Sequence, residues 1–583
     1  MQLKEKQYLY LICLIGLIAR LIFIPSIQVV DADAVTRIFT AERLLADFHF
    51  LHEGIWLPLH YYFISLTIVM TGEHFYGPII GHILFAVLTA FPIYSFTKRE
   101  LHPRGALFAA AIYLFLPVVF RNSFHALSGI PYAFFTACGI NYLSKGIRSN
   151  DLKYSALAGL CLTIAGGFRY EAWVIIAILT GITLLIKNWR HTLIFWALAV
   201  TFPIYWMIGN YVVHQDFFFG LSGAYHWNIE MEGVNDHVSL SEKILRIFFF
   251  PLSWIFNLSP FLVVALGWVL WQNKNKIKTS LNYLFWLIPF LIMSLVFTYK
   301  CHEGTLLMQH RFTTSLLVLS VPFTSFFYSL KWPPRRLNIL AILILVCLLP
   351  FSFFWMKIPV EKILPSQKLR EAIGDFRFRS YYEFKATPTL ADQGFLTHIE
   401  ALKEVVTKDD GLLIDFTSWQ ESFHLALTSG LDPDQIYVVD GAKYGGVYLD
   451  EIKRVLNHHE QGYILLVCKS KFSESYTTTN NILTLKELPN RHLELELINM
   501  GHKAKLYHYQ ITADTIGDPS KAVQCPKNHT KEYYMEELYR NQNWLKEAER
   551  EAREKGITVE EAVEIDAQWM VDHHDTTKQS QTP

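Results

Sequence analysis

Two carboxylates and a guanidinium stand close together near the start of the chain, in Val29-Val30-Asp31-Ala32-Asp33-Ala34-Val35-Thr36-Arg37, directly after the first long apolar run, Tyr8 to Ile27. A carboxylate there can accept the proton of a hydroxyl that attacks a sugar carbon from the face opposite the leaving group. The same peptide has a structural use. Asp33 precedes the helical pattern Ala34, Ile38, Ala41, Leu45 and suits its N-cap. Capping and catalysis are compatible, since a capping bond fixes the carboxylate.

Cations recur at the ends of later apolar runs: Arg37, Arg121, Arg169, Lys300, His310 and Arg311. Fixed positive charge at a membrane boundary suits a departing lipid phosphate, and the arginine fork is bidentate to phosphate oxygens. Cations at span ends also snorkel to the interface with no further role. Both readings stay open for Arg37 and Arg121, whereas Arg169 and Arg311 fall on the side that the distribution of basic loops leaves poor in cations. His302, Glu303 and His310 lack a recognised metal-ligand spacing, so no metal or other cofactor is assigned. His226, Glu230, Glu232, Asp236 and His237, in a connection spanning 214–247, are similarly unspecific, although that connection is long enough for a lid or an acceptor platform.

The elements that must position these groups are membrane helices. The chain of 583 residues is 52% hydrophobic with a mean hydropathy of +0.22, and its apolar residues come in blocks. Such blocks cross a bilayer core of roughly 30 Å. A net charge of zero leaves no nucleic-acid footprint. Cys13, Cys138, Cys161 and Cys347 lie inside apolar runs and read as small hydrophobes. The first run is long for a signal peptide and no small-residue cleavage site follows, so it reads as a retained helix.

About eleven spans are expected, at 8–27, 78–97, 105–120, 126–144, 154–168, 171–186, 191–213, 248–271, 281–298, 312–330 and 337–356. The short basic connections around Lys98/Arg99/Arg104, Lys145/Arg148/Lys153, Lys187/Arg190, Lys274/Lys276/Lys278 and Lys331/Arg335/Arg336 then lie in the cytoplasm. The other connections, and everything after 357, lie outside. Trp56 to Met70 is short and opens on a proline, which suits a helix in the outer interface. The runs 154–168 and 171–186 are short of a full crossing and flank Arg169-Tyr170-Glu171, which places that turn below the outer surface, against protein or water.

Three regions are expected: a transmembrane domain over residues 1–356 with its first outer loop at 28–77, an extracytoplasmic α/β domain at 357–515, and a helical, partly disordered tail at 516–583. Leu412–Phe416, Ile436–Val439 and Tyr463–Val467 read as strands alternating with helices Trp419–Thr428 and Tyr448–His459, hence a small parallel layer. Ile482–Leu488, Leu493–Ile498 and Lys505–Gln510 read as added edge strands. Tyr533–Lys555 reads as a charged amphipathic helix, and Thr558-Val559-Glu560-Glu561 as a capping box that opens a second one. No nucleotide-binding loop appears.

Asp31-Ala-Asp33-Ala-Val-Thr-Arg37, Trp56-Leu-Pro-Leu-His-Tyr-Tyr62, the Gly77–Arg99 span, Ala126-Leu-Ser-Gly-Ile-Pro131 and Gly167-Phe-Arg-Tyr-Glu-Ala-Trp173 stand in that order. Over residues 8–350 this resembles the GT-C superfamily, specifically the glycosyltransferase family 39, protein O-mannosyltransferase-like and aminoarabinose-transferase-like bacterial proteins. The resemblance implies transfer of a sugar from a polyprenyl-phosphate donor to a glycan, lipid or protein acceptor, outside the cytoplasmic (inner) membrane, in a multi-pass fold with a C-terminal extracytoplasmic domain. It implies that Asp31 or Asp33 is the catalytic carboxylate; Ala32 separates the two here, whereas many relatives have adjacent acids. Relatives also tend to carry an acid in the segment where this chain has Gly129.

The expected reaction inverts the anomeric carbon. Asp33 or Asp31 deprotonates the acceptor, Arg169, Lys300 and Arg311 hold the phosphate, and His60, Glu171 and Arg37 shape the sugar pocket. Two other readings stay open: an oligosaccharide polymerase or ligase using a diphosphate-linked donor, and a non-enzymatic transporter or sensor. The clustering of ionisable residues at one face favours surface chemistry over translocation.

Overall fold

The structure, a computed structural model, describes residues 2–226, 229, 240–272, 284–330, 332–357, 390, 395–439, 449–467, 470, 472–479, 481–486, 488, 491–500, 504–512 and 558–565. The chain divides into two compact units, residues 1–459 and 460–583. The expected boundary at 357 falls beside residues outside those described.

The first unit opens on α1 (Gln2–Leu21), α2 (Ala32–Ala46), α3 (Leu59–Thr71) and α4 (Tyr76–Leu88). Asp31, not Asp33, is the N-cap of α2: its Oδ1 accepts from the Asp33 N–H at 3.1 Å. Ala32 is already helical, so the helix begins two residues before the apolar pattern that marks its face. Pro58 stands at the entry to α3, where a missing N–H costs nothing, and Gly72 ends it at φ 70°.

Four stretches, Glu5–Ser26, Tyr76–Leu101, Leu284–His302 and His310–Ser329, are long and apolar enough to cross a membrane, and up to seven are if each bent helix pair is one span. The expected eleven is not reached by that measure among the described residues. The apolar helices Leu59–Thr71, Leu152–Phe168 and Glu171–Leu185 are too short. The last two are the anticipated short pair around Arg169-Tyr170-Glu171. The bends have covalent causes, because proline withholds a helical N–H. Pro103–Phe115 meets Pro117–Phe124 at 49°, and Trp189–Ala199 meets Thr201–His214 at 41° with Pro203 in its first turn.

The first bend is tied down by a buried cation. Arg20, fully buried on α1, donates to the Leu114 carbonyl at 2.8 Å, to Ser123 Oγ at 3.2 Å and to the Gly16 carbonyl at 3.0 Å, with its guanidinium 4.7 Å from the Phe120 ring centre. A backbone carbonyl exposed by a bend in an apolar setting needs such a donor. The arrangement fixes the direction of Pro117–Phe124, which carries Arg121.

The unit also contains the parallel pair β1 (Gly411–Asp415) and β2 (Ile436–Val439), with helices Trp419–Thr428 and Leu449–His458. Trp419–Thr428 packs on α2. Phe423 meets Phe39 edge-on at 5.7 Å, Leu427 joins the apolar cluster of Val30, Ala34 and Ile38, and Gln420 Nε2 donates to the Val30 carbonyl at 3.4 Å.

In the second unit β3 (Gln461–Val467), β4 (Tyr476–Thr479), β5 (Ile482–Leu485), β6 (His492–Met500) and β7 (Ala504–Thr512) pair antiparallel in the order β3-β7-β6-β5-β4. The expected parallel layer therefore holds for β1 and β2, while β3 runs antiparallel to β7. The stretch at 504–512, expected at an edge, lies between β3 and β6. The capping box at Thr558 is present: Thr558 Oγ1 accepts from the Glu561 N–H at 3.2 Å and the Glu561 carboxylate from the Thr558 N–H at 2.8 Å. The helix expected at Tyr533–Lys555 and the disorder expected from Asp572 lie outside the described residues.

Candidate functional site

The two acids at the start of α2 are held by one arginine. Arg311 Nη1 donates to Asp31 Oδ1 at 2.6 Å, and Arg311 Nη2 lies 2.7 Å from Asp33 Oδ2. Arg311 sits on the turn His310–Phe312 before helix Thr313–Ser320, and Asn122 Nδ2 donates to its carbonyl at 3.3 Å. The fork separates two carboxylates that would otherwise repel at the N-terminus of α2. The two acids are not equivalent. The Asp31 side chain is 19% exposed and serves as cap and ion-pair partner, while the Asp33 side chain is 40% exposed. Asp33 is the one with surface to offer a substrate.

Behind this bridge stand Arg121 and His125. Arg121 is within electrostatic reach of Asp31 and Arg311. His125 is 3% exposed, and neither ring nitrogen has a hydrogen-bond partner. Burial first, then the Arg121 and Arg311 charges, hold its imidazole well below the ordinary histidine range. Ala126, next in sequence, is fully buried at φ 51°, a conformation rare outside glycine. That turn brings Ser128 Oγ within 3.3 Å of Arg37 Nη1. His310 faces away from the acids: its Nδ1 is 2.6 Å from Ser253 Oγ, which in turn meets Thr313 Oγ1 at 2.7 Å.

A second ion pair joins the site through an aromatic ring. Arg169 Nε donates to Glu171 Oε1 at 2.9 Å, and its Nη2 meets the same oxygen. Phe312 meets two guanidinium groups, with Arg169 at 5.1 Å and Arg311 at 5.3 Å from its ring centre. Both Arg169 and Glu171 are within reach of the buried Tyr132. The turn between the two short helices is thus packed against protein, as its length and charge require.

The third group surrounds Arg37. Its Nη1 lies 3.2 Å from His60 Nδ1, and its guanidinium sits 5.1 Å from the Trp56 ring centre. Tyr61 is within reach of both Arg37 and Asp33. His60 is 1% exposed, so it stands beneath Arg37 and not on an open surface.

His310 is turned toward Ser253, while Asp31, Asp33, Arg37, His60, Arg121, Arg169, Glu171 and Arg311 gather around one place. Lys300 does not: it is exposed near the end of helix Leu284–His302. Among the described residues no group of three His, Cys, Asp or Glu is placed to hold a metal ion. Of the acids and histidines at 226–237, only His226 is described. Sequence reasoning passed over His82, His125 and Phe312. A histidine inside an apolar run is costly unless partnered, and that cost was the available signal for His82.

Residues 57–207 match the model of a family described as dolichyl-phosphate-mannose-protein mannosyltransferase. Among solved structures, the chain is similar to ArnT from Cupriavidus metallidurans bound to undecaprenyl phosphate, with a TM-score of 0.58 at 11% identity, covering 86% of this chain and 98% of that one. It is similar to the apo state of the same protein with a TM-score of 0.57 at 11% identity, covering 87% and 98%. At that identity the likeness is one of fold. No curated protein matches the chain in sequence.

Proposed function

We propose that this chain, a GT-C-type membrane glycosyltransferase by its fold and its mannosyltransferase-like segment 57–207, moves a sugar from a polyprenyl-phosphate donor to a hydroxyl acceptor on the extracytoplasmic face of the inner membrane. The observation that carries the reading is the Arg311 fork on Asp31 and Asp33, with Arg121 and His125 behind it. It puts a partly open carboxylate beside a cluster of cationic and neutral donors. A GT-C fold seen with undecaprenyl phosphate supports the donor class.

In the proposed reaction the acceptor oxygen bonds to the anomeric carbon as the bond from that carbon to the phosphate oxygen breaks, with inversion. Asp33 takes the hydroxyl proton, and the electron pair leaves on the polyprenyl phosphate. General-base assistance of this kind contributes on the order of 10²–10⁴ in rate. Arg311, Arg121 and Arg169 meet the growing phosphate charge, and His125 donates to a phosphate oxygen. Asp31 holds Arg311 in place until the phosphate arrives. Arg37 and Glu171 line the sugar.

The test is release of polyprenyl phosphate from a panel of labelled polyprenyl-phosphate sugars by purified protein in vesicles, wild type beside Asp33→Asn. Release by the wild type alone supports the reading. Release from diphosphate-linked oligosaccharides only, or equal release by both proteins, overturns it.

A further inference from the structure

His82 is the residue of the site region for which the proposed reaction has no use. It is fully buried on α4, two turns into an apolar helix, and its ring closes a chain of contacts that starts at Arg37. Arg37 Nη1 lies 3.2 Å from His60 Nδ1, His60 Nε2 lies 3.0 Å from His82 Nε2, and His82 Nδ1 lies 2.7 Å from the Pro78 carbonyl oxygen. The two rings meet edge to face at 89°, and His60 and His82 pack on Phe63 and Phe168.

Both ends of this chain have fixed roles. A guanidinium only donates, so His60 Nδ1 must present its lone pair, and a neutral imidazole then carries its proton on Nε2. A carbonyl only accepts, so His82 Nδ1 must carry the proton and His82 Nε2 must present its lone pair. The two requirements, set independently at Arg37 and at Pro78, agree at the middle contact: His60 Nε2–H donates to His82 Nε2. Either ring doubly protonated, or the His82 tautomer reversed, would set donor against donor; the Ala126 carbonyl is a further acceptor beside the His60 ring.

We propose that His60 and His82 are positioning residues: a neutral, one-directional histidine relay anchored on the Pro78 carbonyl locks the Arg37 guanidinium, between Ser128 and the Trp56 ring, to receive the sugar. The inference rests on the sugar-transfer reading for what Arg37 receives, but not for the relay. Arg37 lies one helical turn from Asp33 on α2, so a guanidinium fixed in direction sets the distance from bound sugar to base. A long arginine side chain without the relay would sample other rotamers, and a small misplacement there is amplified in rate.

The relay is tested without turnover by ¹⁵N NMR of the histidines in the full-length protein. His60 should be protonated on Nε2 alone and His82 on Nδ1 alone at pH 7, and Arg37→Ala should shift His60 Nδ1 while leaving the His82 tautomer in place. A doubly protonated ring or a reversed tautomer overturns the relay. The positioning role is tested by kinetics. Arg37→Ala and His82→Phe should each lower kcat about tenfold with the donor KM within about threefold, and the double variant should be no worse than Arg37→Ala alone. His82→Gln, whose amide can both accept from His60 and donate to Pro78, should restore most of the loss. Effects that multiply in the double variant would make His82 a packing residue and overturn the positioning role. A wild type that turns over no donor would overturn the sugar-transfer reading and this role with it, while the NMR result would still decide the relay.

Discussion

Arg311 reaches Asp31 across 280 positions of the chain, with Nη1 2.6 Å from Oδ1, and the same guanidinium reaches Asp33 with its other arm. The contact joins the N-terminus of α2 to the turn that precedes helix Thr313–Ser320. Every other element of the site is arranged around it. Asp31 is consumed by two structural duties, cap and ion pair, so the difference between the two acids is one of employment and not of chemistry.

That difference sets the first prediction. Asp33→Asn should lower transfer by at least about 100-fold, since the amide cannot take a proton, while leaving the melting temperature within a few degrees. Asp31→Asn still caps α2, because asparagine caps as well as aspartate, and should cost about tenfold through the weakened hold on Arg311. Steady-state transfer and thermal melts of both variants check this. A larger loss in Asp31→Asn than in Asp33→Asn would reverse the assignment.

Arg311→Lys keeps the charge and loses the fork. One ammonium cannot span Asp31 Oδ1 and Asp33 Oδ2 as two arms do, so one carboxylate loses its partner. Transfer should fall about tenfold or more. Binding of polyprenyl phosphate should weaken in parallel, as measured by displacement of a fluorescent lipid phosphate. Unchanged lipid binding would remove Arg311 from the phosphate site and leave it as the holder of the acids alone.

The acids, Arg121, Arg169 and Arg311 were legible in the sequence because charge is costly beside apolar runs and therefore conspicuous. Their pairing was not legible. Nothing in spacing says that Arg311 and not Lys300 meets Asp31, since that depends on where His310–Phe312 turns. The cap was displaced from Asp33 to Asp31 because apolar periodicity marks the buried face of a helix and not its first residue. The bends were not legible either. Hydropathy locates apolar blocks but does not show that Pro117 and Pro203 bend them, although both prolines were in view. The docking of Trp419–Thr428 on α2 rests on Phe39, Phe423 and Leu427, which read only as ordinary core residues in their own helices.

That docking carries a pH dependence. His424 is 4% exposed, its ring lies 5.0 Å from Phe75, and its Nδ1 has no hydrogen-bond partner. Burial, and then Lys403, push its imidazole down from 6.5 to about 4. The folded chain therefore resists a proton that the unfolded chain accepts below 6.5. The stability due to neutral His424 is present above that value and is lost as pH falls from about 6.5 to about 4. Melting temperatures in detergent should fall between pH 7 and pH 5, and His424→Phe should flatten that stretch of the profile. Parallel profiles for the two proteins would assign the acid sensitivity to another group.

Gly209 holds the loop that ends at Trp56. A Cβ at Gly209, on helix Thr201–His214, would sit 1.7 Å from the His52 carbonyl oxygen. Backbone cannot yield there without moving the loop. The loop is fastened on either side, by the Gly54 N–H donating to Asn210 Oδ1 at 2.8 Å and by Tyr170 Oη donating to the Ile55 carbonyl at 2.9 Å. The displacement would therefore pass to Trp56, whose ring supports Arg37. Gly209→Ala should lower kcat/KM for the donor by roughly 10- to 100-fold, the range expected of a misplacement near 1 Å. The stability cost should stay within the roughly 1–3 kcal/mol typical of overpacking. Gly181, where an added Cβ meets nothing within 4 Å, is the control: Gly181→Ala on helix Glu171–Leu185 should change neither. Equal losses of activity in the two variants would sever the link between this loop and the site, because only Gly209 is packed against it.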